Sequence, residues 1–239
     1  MRLSARHPMP WIACAGIAAF IAVENLSMAV GLLVLFDCYL RPYELLNIRR
    51  QDILLPAASF RHITLVVCPL VSGRPTKAKL YDDGVALDSA DRSAVSDILL
   101  QWLQQEQFRP TDKLFRFTQQ ELNAAICRAC EFLGLASFAF TAYHGRHGGP
   151  SEDRASKLRS EDEVRKRGRW AALSSLKRYE QCNRLHVVLA SFPQPLILHL
   201  ARCAAHLPEL VLQPRPLARP VDDDFAAKPP IVASEPSDD

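Results

Sequence analysis

The stretch "FDCYLRPYELLNIRRQDI", residues 36–53, marks the end of an apolar run and leaves a basic residue at the bend. Pro42 and Glu44 fit the first turn of a new helix, where proline's missing N–H costs nothing and an acid meets the helix dipole. Arg41 therefore lies between two apolar helices. A guanidinium is costly to bury there without an anion, so Arg41 either forms a structural salt bridge or points into a site that receives one.

Upstream, "MRLSARH" and the apolar run Met9 to Val23 look like a signal peptide with a basic leader. The run is too short to span a bilayer and lacks a clean small-x-small cleavage site. Glu24-Asn25 and a second apolar run, Leu26 to Phe36, follow it. Two buried helices joined by a polar turn are expected, with no membrane partner.

Downstream, "ITLVV" (63–67), "TKAKLY" and "VALD", around the turn signal Asp82-Asp83-Gly84, predict a short antiparallel sheet. Helices follow over 92–106, over 118–134 behind the capping box Thr118-x-x-Glu121, and over 160–168 behind Ser160-x-x-Glu163. Ser174 or Ser175 is placed to cap the next helix, "SSLKRYEQ". The fold class is thus mainly α with a small antiparallel β-sheet (α+β). After Ala204 the chain turns Pro-rich and then acidic, so 205–239 reads as a disordered tail.

A chain of 239 residues, 49% apolar and 23% charged, can bury one sizeable core. The net charge of +3 is too mild to announce a nucleic-acid partner, but it is unevenly spread. Residues 141–180 hold ten Lys/Arg against six Asp/Glu, and residues 219–239 hold two against six. Seven cysteines, mostly in apolar runs, suit reduced core thiols. "CRAC" (127–130) has neither a second pair nor nearby histidines to make a zinc site.

Besides Arg41, three places put basic or phenolic groups where core and caps do not need them. In "TKAKL", Lys77 and Lys79 alternate, so in a strand both face one side. "TAYHGRHGG" (141–149) gathers Tyr143, His144, Arg146 and His147 beside glycines, which suits phosphate binding. "RGRW" (167–170) brings Trp170 to nine residues before Tyr179 in "SLKRYEQ".

In this order the motifs resemble the catalytic domain of the tyrosine recombinases, the phage-integrase family, over residues 26–182. "LRPYELLNIRRQDI" is similar to the first-arginine box, with Arg41 as the catalytic arginine and Glu44 as its helical companion. "TKAKL" is similar to the hairpin of the catalytic lysine, Lys77, with Lys79 second. "YHGRHGG" resembles the second-arginine box, with Arg146 as the arginine and Tyr143 in the histidine's place. His144 and His147 are secondary candidates. Trp170 stands where the family has histidine or tryptophan, and Tyr179 is the nucleophile.

The resemblance implies a site-specific recombinase or integrase from a mobile element. Such an enzyme cleaves and rejoins DNA through a 3′-phosphotyrosyl intermediate, with no cofactor and no metal. DNA is the implied partner, self-association on DNA the implied role of the segment after Tyr179, and an intracellular compartment that of its DNA. Residues 1–25 then read as an N-terminal helix, a remnant of or lead-in to a catalytic domain over 26–204, in place of the family's helical DNA-clamping domain. The alternative is a catalytically inactive or truncated DNA-binding remnant. Three features depart from the pattern: Gly145 replaces a leucine, Tyr143 replaces a histidine, and Pro150 falls early in the helix expected after Arg146.

Overall fold

Helix α1 (Trp11–Ala22) is apolar on every side, and a helix of that kind has to lie inside the protein. In the computed structural model, which describes residues 7–58, 61–70, 73, 83–177 and 181–220, it packs against α2 (Leu26–Asp37). It also meets four later helices: α5 (Gln119–Phe132), α6 (Ala142–Ala155), α10 (Gln194–Ala205) and α11 (Leu207–Leu212). The two apolar runs are therefore buried helices, and Asn25 between them caps α2 by accepting from the Met28 N–H. Helix α1 has no cap of its own; Glu152 of α6 accepts from the Trp11 N–H at 2.7 Å. Residues 11–22 thus share one core with the helices that follow. No single described helix is long and apolar enough to cross a membrane.

A short helix, α3 (Pro42–Leu45), follows the bend after α2. It leads into a three-stranded antiparallel sheet of β1 (Ile53–Leu54), β2 (Thr64–Val67) and β3 (Asp83–Ala86), in the order β1-β2-β3. Leu65 sits opposite both Ile53 and Val85, and these three residues turn to the core. Strand β1 was not expected, because two residues leave no alternation to read. Lys77 and Lys79 lie outside the described residues.

Helix α4 (Ser93–Gln105) buries Val95, Ile98, Leu99, Trp102 and Leu103, a stripe at helical spacing. Helix α5 buries Leu122, Ala125, Ile126, Ala129 and Cys130 in the same way, behind the Thr118–Glu121 capping box. None of the seven cysteines forms a disulfide among the described residues; Cys130 is buried in that face, whereas Cys127 is exposed.

Helix α6 begins before Arg146 and contains it, so Pro150 lies in the helix interior and not in a first turn. The helix continues through "GRHGGP", although proline denies the Arg146 carbonyl its helical partner. Tight packing explains "HGG", whose glycines were expected to suit phosphate binding. A Cβ on Gly148 would stand 2.1 Å from the Met9 carbonyl oxygen and 2.4 Å from the Phe36 ring. Gly148→Ala is accordingly expected to destabilise the fold by about 1–3 kcal/mol, read from denaturant unfolding.

The chain continues through α7 (Glu161–Arg167), opened by Ser160, and α8 (Leu173–Leu176), which contains Ser174 instead of being capped by it. Residues 178–180, Tyr179 among them, lie outside the described residues. Helices α9 (Cys182–Ala190) and α10 follow, and α10 sets Leu200 on Gly16 of α1 and Cys203 beside Ala19. Helix α11 buries Leu207 and Val211, so the core runs past residue 204, where the Pro-rich tail was expected to begin. A leucine-valine stripe on one turn of helix outweighs the prolines around it.

Candidate functional site

The site grows from the bend at residues 37–41. Tyr39 takes the left-handed conformation, φ 51°, which turns the chain sharply between α2 and α3. Its carbonyl oxygen accepts from Arg146 Nη1 and, at 3.2 Å, from Arg169 Nη2. Glu44, at the third position of α3, accepts from the Arg41 backbone N–H at 2.8 Å, as an N-terminal capping acid does.

That carboxylate also collects three guanidiniums. Arg41 Nη1 lies 2.5 Å from Oε1, while Arg169 Nη2 and Arg146 Nη1 lie 2.8 and 3.4 Å from Oε2. Arg41 and Arg146, read from separate motifs, therefore meet on one residue. Arg146 and Arg169 are fully buried, and Arg41 is the partner nearest solvent. Burial pushes the Glu44 carboxyl up, but Arg169, Arg146 and Arg41 outweigh it and hold the group below the ordinary glutamate value of 4.5.

Stability follows from the sign of that shift. A carboxylate with a lowered folded-state pKa stabilises the fold above its unfolded value, and the contribution is lost as pH falls through the lowered value. Glu44→Gln removes that component. Its stability is expected to be lower at neutral pH and less steeply acid-dependent below 4.5 than the wild type's, measured by thermal unfolding across the acid range.

Trp170 is buried, with its ring stacked near Tyr39 and lying under the Arg146 guanidinium, whose Cζ is 5.3 Å from the ring centroid. Its ring therefore supports Arg146. Arg146 Nη2 also donates to the Gly168 carbonyl at 3.2 Å. Gly168 has no room for a side chain, since a Cβ there would come 2.0 Å from the Trp170 ring. "RGRW" is thus a tight corner at the end of α7.

Tyr143 is 40% exposed on α6, one turn before Arg146, and its ring meets His147 edge-on at 5.2 Å. His147 is buried. His144 has a different place: its Nδ1 accepts from the Thr141 N–H at 3.0 Å at the start of α6, and its ring stacks on His7. That cap engages one ring nitrogen of a residue read as a secondary candidate. Lys77, Lys79 and Tyr179 lie outside the described residues, so their positions in the site stay expectations from sequence.

Behind the bend lies a second ionic assembly that sequence reading missed. Arg92, at the start of α4, pairs with Asp37 at 2.9 Å and Asp153 at 2.5 Å. Arg159 joins Asp153 to Asp88, and Arg167 joins Asp37 to Asp88. The Tyr39 hydroxyl donates to Asp153, and burial together with that carboxylate raises the phenol so that it keeps its proton. Among these six ionic side chains, three arginines balance three aspartates. Around Glu44, in contrast, the guanidiniums outnumber the carboxylate.

Arg169 was the other omission. It lies in the quoted "RGRW", but in a run of basic residues nothing in the one-dimensional pattern separates it from Arg165, Lys166 or Arg167.

No protein-family model matches the sequence, and no curated protein does. Solved structures do match. One is the XerH site-specific recombinase bound to palindromic difH substrate in a post-cleavage complex, with a TM-score of 0.57 and 16% identity over 77% of this chain and 52% of that one. Another is XerH bound to difH substrate in a pre-cleavage complex, with a TM-score of 0.55 and 17% identity over 78% and 53%. The chain therefore spans about half the length of these recombinase chains. At such identity the likeness is one of fold: the chain is mainly α-helical with a small antiparallel sheet, and its fold is like that of a tyrosine-recombinase catalytic domain.

Proposed function

We propose that the chain is a site-specific DNA recombinase that cleaves and rejoins strands through a 3′-phosphotyrosyl intermediate. The supporting observation is the convergence of Arg41 and Arg146, from motifs 102 to 105 residues apart, with Arg169 on the single carboxylate of Glu44. Three guanidiniums around one acid favour a further anion, and a phosphodiester offers two non-bridging oxygens to the forks of Arg41 and Arg146. The Tyr179 oxygen attacks phosphorus, the bond to the 5′-oxygen breaks, and the leaving oxygen takes a proton from Lys77, with Lys79 as the second candidate. The Tyr143 hydroxyl accepts a hydrogen bond from Tyr179 and relays its proton to solvent water. Charge on the transferring phosphate is greatest in the transition state, where the arginine pair stabilises it most.

Self-association on DNA through the segment after Tyr179 would use Val187 and Leu198, which α9 and α10 leave exposed, because Leu200 and Cys203 are engaged with α1. The non-catalytic alternative is favoured by Tyr143, a phenol that cannot act as the cationic acid that histidine can be.

The test is capture from a randomised library of nicked duplexes of an adduct that resists denaturant. Tryptic digestion is expected to place the phosphate on the peptide Tyr179–Arg184, at Tyr179. DNA binding without an adduct supports the alternative, and an adduct on another residue overturns the assignment of the nucleophile.

A further inference from the structure

We propose that Arg169 is a positioning residue of this site, holding the Glu44 carboxylate and the Tyr39 carbonyl in place while Arg41 and Arg146 turn to the phosphate. The inference rests on the recombinase reading. Arg169 is the first residue beyond the Gly168 cap of α7 and adopts a left-handed backbone, φ 57°, which is costly for a residue with a side chain and persists only where the surroundings demand it. The side chain is fully buried. Nη1 donates to the Arg167 carbonyl at 2.9 Å, and Nη2 to Glu44 Oε2 at 2.8 Å and the Tyr39 carbonyl at 3.2 Å. Its Nε is buried with no hydrogen-bond partner among the described residues.

Arg146 uses the same two acceptors through one nitrogen, and its 3.4 Å contact with Glu44 is the longer of the two. Two buried guanidiniums on one pair of oxygens repel each other, so the duplication needs a reason. If Arg41 and Arg146 were the only partners of Glu44, each move toward a phosphate would strip a buried carboxylate of its countercharge. Arg169 removes that cost: Glu44 stays paired and the Tyr39 carbonyl keeps a donor. Among the described residues the sheet side adds Asp83 and Cys68; Asp83 faces Arg169 as well as Glu44, and neither brings a positive charge to Glu44.

The experiment combines Arg169→Ala, Arg169→Lys and Glu44→Gln, singly and in pairs, in the full chain on a duplex enriched by adduct capture. Single-turnover cleavage and duplex affinity are read together. Arg169→Ala is expected to slow cleavage at saturating DNA about 10- to 100-fold, as misplacement of catalytic groups does, with affinity nearly unchanged. Arg169→Lys keeps the charge opposite Glu44 but not the fork, and should recover part of the rate. In the Glu44→Gln background Arg169→Ala should add little, because the residue acts through Glu44. Losses that multiply in the pair, or a fall in affinity that matches the fall in rate, would overturn the proposal. If Arg169→Ala does not fold, the same cycle is read on Arg169→Lys, and an unchanged rate there overturns it too. A wild-type chain that forms no adduct overturns the recombinase reading, and this proposal with it.

Discussion

Arg146→Ala is expected to slow single-turnover strand cleavage about 10²- to 10³-fold, the loss typical when one preorganised donor to a developing anion is removed. The size follows from how completely the residue is fixed. Arg146 is fully buried in α6, its guanidinium lies over the Trp170 ring, and its nitrogens reach the Tyr39 and Gly168 carbonyls and Glu44. Its contacts with Glu44 and the Tyr39 carbonyl give way when a phosphate arrives, while the Trp170 ring and the Gly168 carbonyl keep the guanidinium placed. Arg146→Lys retains a positive charge but cannot reach two phosphate oxygens and a carbonyl together, so most of the loss should remain. Rates and duplex affinities on the enriched DNA check this, and wild-type cleavage by Arg146→Ala would remove the residue from the mechanism.

Asp153→Ala is expected to have the largest effect on stability, about 3–5 kcal/mol, because it breaks a buried ionic assembly and strands its partners. The Asp153 carboxylate is fully buried and accepts from Arg92 at 2.5 Å, from Arg159 at 2.9 Å and from the Tyr39 hydroxyl. Its loss leaves Arg92, buried between Asp37 and an alanine, one countercharge short. For a chain of this size each kcal/mol moves the melting temperature by about 2–4 °C, so a fall of roughly 6–20 °C should appear in a thermal melt. Arg159→Ala removes a partly exposed partner of the same carboxylate and should cost less. Equal melting of Asp153→Ala and wild type would show that the network contributes nothing net. Tyr39 carries this defect toward the site, since its hydroxyl belongs to the network and its carbonyl to the arginine cluster.

The Glu44 cluster and the Asp153 network differ in how far each was readable along the chain. Arg41 and Glu44 could be read because they are three residues apart at the start of a helix, a spacing that local backbone geometry turns into contact. Asp37, Asp88, Arg92, Asp153, Arg159 and Arg167 have no such spacing; each looks like an ordinary surface charge until packing of α2, α4, α6 and α7 buries Asp37, Arg92 and Asp153 and draws the other three around them. His144 shows what a one-dimensional pattern leaves out, since a histidine among basic residues reads as chemistry and its capping contact with the Thr141 N–H three residues earlier is seen only in the structure. The glycines of "YHGRHGG" were expected to suit phosphate binding; only the packing of α6 on Met9 and Phe36 shows Gly148 as a contact point inside a helix.

By itself the sequence determined what depends on near neighbours: the two apolar helices, the capping boxes, the amphipathic stripes of α4 and α5, and the order of the basic motifs. Tertiary structure alone decided that α11 belongs to the core, that Arg41, Arg146 and Arg169 share one carboxylate, and that a balanced ionic network lies behind them. The physical reason is desolvation. A charge acquires its partner and its cost when the chain closes around it, and that closure joins residues that no local pattern relates.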